Sequence, residues 1–72
     1  MSSQEQVNIT INGEKRSISM GIQVEELLQI LEMDPACVVV ELNEDILPVE
    51  KRAETVLRDG DSLEVIQFVG GG

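Results

Sequence analysis

The chain has 72 residues, with 5 Lys and Arg against 14 Asp and Glu, a formal net charge of −9, one cysteine and no histidine. That length holds one domain and no second. The acidity disfavours nucleic acid and an anionic membrane surface, because phosphate binding needs clustered cations, and the Cys and His count excludes an internal disulfide and a zinc or iron–sulfur centre.

The opening Met1-Ser2-Ser3-Gln4-Glu5-Gln6 is polar and lacks a charged-then-apolar signal pattern. No apolar run approaches the ~20 residues of a membrane span. The expected compartment is therefore the cytoplasm. Hydrophobic residues make up 42% of the chain, enough for a core rather than disorder, although a domain of this size buries only about 60% of its unfolded surface. Phe68 is the single aromatic residue, so there is no stacking platform for bases or sugars.

Val7, Ile9 and Ile11 alternate with Asn8 and Thr10, which predicts a half-buried strand. Asn12-Gly13 follows, a hairpin signal, because a type I′ turn needs positive φ at both central positions. Glu14 to Ser19 returns as a polar edge strand with Ile18 pointing inward, and Met20-Gly21 breaks it. The period then changes. Val24, Leu27, Leu28 and Leu31 sit at i, i+3, i+4 and i+7, one face of a helix. Glu25 and Glu26 favour its first turn through the helix dipole, Gln23 is a poor N-cap, and Asp34-Pro35 is expected to end it.

Val38, Val40 and Leu42 predict a third strand that Cys37 begins, with Val39 and Glu41 facing the other way. Asn43-Glu44-Asp45 reads as a turn, and Ile46-Leu47 as a short strand curtailed by Pro48. Glu50 to Leu57 is expected to hold a short helical turn with Val56 and Leu57 as core anchors, and with Lys51-Arg52 solvated. Asp59-Gly60-Asp61 reads as a tight turn in which Gly60 supplies positive φ. Leu63 to Val69 is the last strand. Strands around one helix predict an α+β domain over residues 1–72, with the helix packed across one face of a mixed sheet of four or five strands.

The last strand runs into Phe68-Val69-Gly70-Gly71-Gly72. A glycine run has no Cβ, so it is expected to form a flexible tail, 70–72, able to enter a channel too narrow for side chains. It delivers the α-carboxylate of Gly72, ionised at neutral pH. Such a terminus suits a carrier activated by another enzyme. The bland alternative is a frayed end.

If Leu63 and Val65 face the helix, Glu64, Ile66 and Phe68 lie on the opposite face, together with Val39. Ile66, Phe68 and Val39, with Val69 just before the tail, are therefore the candidate partner-docking residues. Cys37 reads as a small core residue. Asp59, Asp61 and Glu64 read as a charged turn, since a calcium loop needs more oxygen ligands at defined spacing. No catalytic residue and no metal ligand set is expected.

Val40-Glu41-Leu42-Asn43 with Pro48, Glu54-Thr55-Val56-Leu57 leading to Asp59-Gly60-Asp61, the helix Val24-Glu25-Glu26-Leu27-Leu28 and the ending Phe68 to Gly72 together resemble the ThiS family. These are sulfur carriers of thiamin biosynthesis with a ubiquitin-like β-grasp fold, and the resemblance runs from Val7 to Gly72. Three positions depart from the family: Gln23 in place of a capping Thr, Glu44 in place of a turn Gly, and Arg52 near a frequent aromatic.

The resemblance implies that a ThiF-like adenylyltransferase transfers AMP from Mg-ATP to Gly72, with Gly70 and Gly71 threading its channel. A cysteine desulfurase or another persulfide donor would then supply sulfur, leaving a thiocarboxylate that a ThiG-like thiazole synthase consumes. The carrier would bind no cofactor itself. Rival readings are a molybdopterin-synthase small subunit, whose ending usually has prolines before the glycines, a ubiquitin-like protein modifier, and a plain interaction module.

Overall fold

The computed structural model describes residues 5–68. Strand β1 (Gln6–Ile11) buries Val7, Ile9 and Ile11 and exposes Gln6 and Asn8, as the alternation predicts. It pairs antiparallel with β2 (Glu14–Ser19) from Ile11↔Glu14 to Gln6↔Ser19. Asn12 (φ 50°) and Gly13 (φ 85°) make the connecting turn, both in the left-handed region that a type I′ turn requires. Only Ile18 of β2 is buried. Its other side chains are polar or charged, which suits a strand at the sheet edge.

Helix α1 (Val24–Ile30) buries Val24, Leu27 and Leu28, and Leu31 packs partly against the same core. The weak cap at Gln23 is compensated from elsewhere. A Glu26 carboxylate oxygen accepts from the Gln23 N–H at 3.0 Å, and the Thr55 carbonyl accepts from the Val24 N–H at 2.9 Å. The helix stops at Ile30, four residues earlier than Asp34-Pro35 suggests. Glu32 adopts φ 61°, and the N–H groups of Glu32 and Met33 bond back to the carbonyls of Gln29 and Leu28. This is a Schellman closure with a glutamate where glycine is usual. Asp34-Pro35 instead opens a 3₁₀ turn, Pro35–Cys37, with the Asp34 carboxylate accepting from the Ala36 N–H at 3.0 Å. Cys37 therefore lies in that turn and not in a strand.

Strand β3 (Val38–Leu42) buries Val38 and Val40 and pairs with β4 (Asp45–Leu47). Asn43 (φ 53°) and Glu44 (φ 76°) form a second two-residue turn, and Asp45 already belongs to β4. A 3₁₀ helix, Val49–Glu54, follows. Leu57 is fully buried, whereas Val56 is 44% exposed, contrary to the expected pair of anchors. Val56 bridges Gln23 in extended backbone, so its side chain and that of Leu57 point to opposite sides. Arg52, expected in solvent, is only 3% exposed.

Strand β5 (Ser62–Gln67) completes a mixed sheet in the order β2-β1-β5-β3-β4. It runs parallel to β1 and antiparallel to β3. Ile9, Val40 and Leu63 from the sheet meet Val24, Leu27 and Leu28 from α1, with Leu57 beside them, in one buried cluster. One helix across one face of a five-stranded mixed sheet is the expected α+β, β-grasp architecture. Among the described residues, no helix is long and apolar enough to cross a membrane.

Candidate functional site

Strand β5 has neighbours on both sides, so Phe68, the last described residue, follows from the middle of the sheet. Two asparagines grip it, one from each hairpin turn. The Asn12 side chain bonds both backbone groups of Val65. On the other side, the Ser62 N–H donates to Asn43 Oδ1 at 3.0 Å, and the Asn43 N–H donates to the Ser62 carbonyl at 2.7 Å. Beyond β5, the Phe68 N–H donates to the Cys37 carbonyl at 2.8 Å, which prolongs the β3 ladder by one rung. The candidate docking residue Val69 and the candidate tail residues Gly70, Gly71 and Gly72 lie outside the described residues.

The other candidates share one surface. Leu63 and Val65 are buried beneath α1, while Glu64, Ile66 and Phe68 are exposed, Ile66 by 51% and Phe68 by 46%. Val39 stands opposite Ile66 in the β3–β5 register, and Glu41 stands opposite Glu64. Ile46, 69% exposed, is the β4 partner of Glu41 and so joins this face. Sequence reasoning did not reach Ile46, because a three-residue strand shows too little alternation to assign a face. The result is an apolar row, Phe68, Ile66, Val39 and Ile46, interrupted by two carboxylates in direct cross-strand opposition. Like charges so placed weaken a sheet. Two clefts, of about 420 and 430 Å³, lie elsewhere and are lined by none of Val39, Ile66 and Phe68.

Arg52, like Val56, departs from its sequence assignment. Its stem and guanidinium are buried behind the start of β3. Nη1 donates to the Pro35 carbonyl at 2.9 Å and Nη2 to the Val38 carbonyl at 2.7 Å. Among the described residues no group of three or more acidic, Cys or His side chains could hold a metal ion. Cys37 is half-buried, with its Sγ donating to an Asp34 carboxylate oxygen at 3.6 Å.

The model of the ThiS family matches residues 5–72. The chain is 42% identical over 66 residues to a thiazole synthase of Paramagnetospirillum magneticum, an alignment covering 92% of this chain and 20% of that protein. It thus spans about a fifth of that relative. It is 30% identical to the sulfur carrier protein ThiS of Escherichia coli, over 92% of this chain and 100% of that one. The crystal structure of a thiamine biosynthesis protein (ThiS) from Geobacter metallireducens is similar with a TM-score of 0.79 and 36% identity, covering 92% of this chain and 100% of that chain.

Proposed function

The chain belongs to the ThiS family, and on that premise we propose that it is a sulfur carrier for thiamin thiazole synthesis whose working group is the Gly72 carboxylate. The observation that carries this reading is the Phe68 N–H bond to the Cys37 carbonyl. It holds the chain to the sheet four residues short of Gly72, and four residues span at most about 14 Å. The carboxylate thus lies within that span of a fixed point on the sheet.

The chemistry follows from the weakness of a carboxylate as an electrophile. In a ThiF-like enzyme, a Gly72 oxygen attacks the α-phosphorus of Mg-ATP and pyrophosphate leaves. A persulfide sulfur, supplied through a cysteine desulfurase or another donor, attacks the acyl carbon and AMP leaves. A thiol then cleaves the S–S bond, forming a disulfide and releasing the thiocarboxylate. A ThiG-like thiazole synthase takes that sulfur. This chain contributes position and recognition, with no catalytic residue of its own.

Two further observations support the partners. The relatives named thiazole synthase are longer proteins of which this chain matches 20%, so a carrier-like segment occurs joined to such an enzyme. The apolar row at Phe68, Ile66 and Val39 lies at the end of β5 that leads toward Gly72. A partner covering it would guide Val69, Gly70 and Gly71 inward. The net charge of −9 favours partners with basic docking surfaces.

The test is intact mass after incubation with an activating enzyme of demonstrated competence, ATP and a sulfur donor. Replacement of one oxygen by sulfur at the C-terminus is the expected result. A covalent adduct with a lysine of another protein would identify a modifier. No change would leave a binding module. A thiocarboxylate consumed by molybdopterin synthase, and not by thiazole synthase, would identify the related carrier.

A further inference from the structure

We infer that Arg52 is a positioning residue for the tail, acting through the turn that precedes β3; this rests on the carrier reading above. Three bonds form one chain of contacts. The two guanidinium prongs of Arg52 hold the carbonyls of Pro35 and Val38, at either end of the turn that contains Cys37. The carbonyl of Cys37, between them, accepts the N–H of Phe68, the last described bond before the tail. Releasing the turn therefore releases the anchor from which Gly72 is measured.

The economics of the site argue against simple space-filling. Arg52 is 3% exposed, and its Nε is buried without a hydrogen-bond partner among the described residues. A buried donor left unmet destabilises the fold, and the two bonds to the Pro35 and Val38 carbonyls, which an apolar side chain would leave unpaired, offset that. What only a guanidinium supplies is two donors in a rigid fork, able to fix two carbonyls at one separation. A lysine has one ammonium on a flexible stem and cannot reproduce that spacing.

The test compares Arg52→Lys and Arg52→Met with the unaltered protein by amide hydrogen exchange, which needs no partner enzyme. Loss of a charge-assisted bond is expected to speed exchange at Phe68 by about tenfold beyond the change at the β1–β2 amides of Ile9 and Ile18. Equal acceleration at all of these would show a general loss of stability and overturn the inference. In the unaltered protein, the Nη protons of Arg52 should give separate, slowly exchanging signals; a single averaged signal would overturn it without any variant that has to fold. Adenylation of folded Arg52→Lys should show a raised KM for the carrier with kcat retained at saturation. If the unaltered chain were never adenylated, the carrier reading would fall while the exchange result would still decide the role of Arg52 as an anchor.

Discussion

Asn12, in the first hairpin turn, holds both backbone groups of Val65 in β5: its Oδ1 accepts from the Val65 N–H at 2.8 Å, and its Nδ2 donates to the Val65 carbonyl at 3.2 Å. Strand β1 ends at Ile11, and the last main-chain bond to β5 runs from the Asn12 N–H to the Leu63 carbonyl at 2.9 Å. The side chain of Asn12 thus continues as an imitation of backbone on the edge that β1 no longer covers. The same residue carries the left-handed φ of 50° that the turn needs.

Asn12→Ala should therefore cost more than a surface substitution. It forfeits two bonds and strains the turn, for an expected loss of about 2–3 kcal/mol. Asn12→Gly keeps the turn geometry and loses only the bonds, for about 1–2 kcal/mol. Urea unfolding of both variants checks the order. Equal losses would mean that alanine does not strain the turn, and no loss in Asn12→Gly would mean that the grip on Val65 contributes nothing.

Glu44 holds φ 76° in the second turn, and an exposed glutamate gains nothing visible from it. Glu44→Gly should stabilise the protein by about 0.5–1 kcal/mol, because relief of the left-handed backbone outweighs the extra entropy of glycine in the unfolded chain. The midpoint of urea denaturation should rise with an unchanged slope. A fall in midpoint would place the Glu44 side chain in a stabilising contact.

Glu41 and Glu64 face each other across β3 and β5. Replacing Glu64 with Gln should strengthen the sheet by roughly 0.2–1 kcal/mol, by removing like-charge opposition. It should also slow association with the activating enzyme at low salt, where charge steering is strongest. Unfolding and stopped-flow binding on the same preparation read both effects. A gain in stability with association unaffected would separate these carboxylates from docking.

Phe68 is nearly half exposed although it is the single aromatic residue of the chain. Phe68→Asp should shift stability by less than about 1 kcal/mol. It should weaken binding to the activating enzyme, to thiazole synthase or to both by about tenfold, since burying such a side chain is worth about 1.5–3 kcal/mol. Loss of folding would return Phe68 to the core and remove it from the docking surface.

Deleting Gly72 should leave the fold of residues 5–68 as it is and abolish sulfur transfer, because the carboxylate retreats by about 3.3–3.6 Å. Gly71→Val should fold normally and fail at adenylation, since a β-branched residue adds bulk and restricts the backbone in a narrow channel. Normal AMP transfer to the folded deletion variant would show that the position of the carboxylate is not read, and normal transfer to Gly71→Val that the glycines are only slack.

What the sequence by itself determined here is local. Alternation placed Val7, Ile9, Ile11, Val38, Val40, Leu63 and Val65 on the buried face, because strand period is a property of the backbone alone. Asn12-Gly13 and Gly60 announced their turns through φ, which is equally local. The outward parity of Val39, Ile66 and Phe68 followed from the same period. Only the tertiary structure decided which strands are neighbours, and so that Val39 meets Ile66, that Glu41 meets Glu64, and that Ile46 joins them. It also decided the fates of Arg52, Val56 and the end of α1. A guanidinium can be buried only where carbonyls converge on it, and those of Pro35 and Val38 come from another part of the chain. Val56 was turned outward by its bridge to Gln23, a pairing with no signature in either segment. The helix stopped at Ile30 because the residues after it close back on Leu28 and Gln29 and lead into the turn before β3. A glutamate in left-handed backbone gives no local warning of that, since its own preference is to continue the helix.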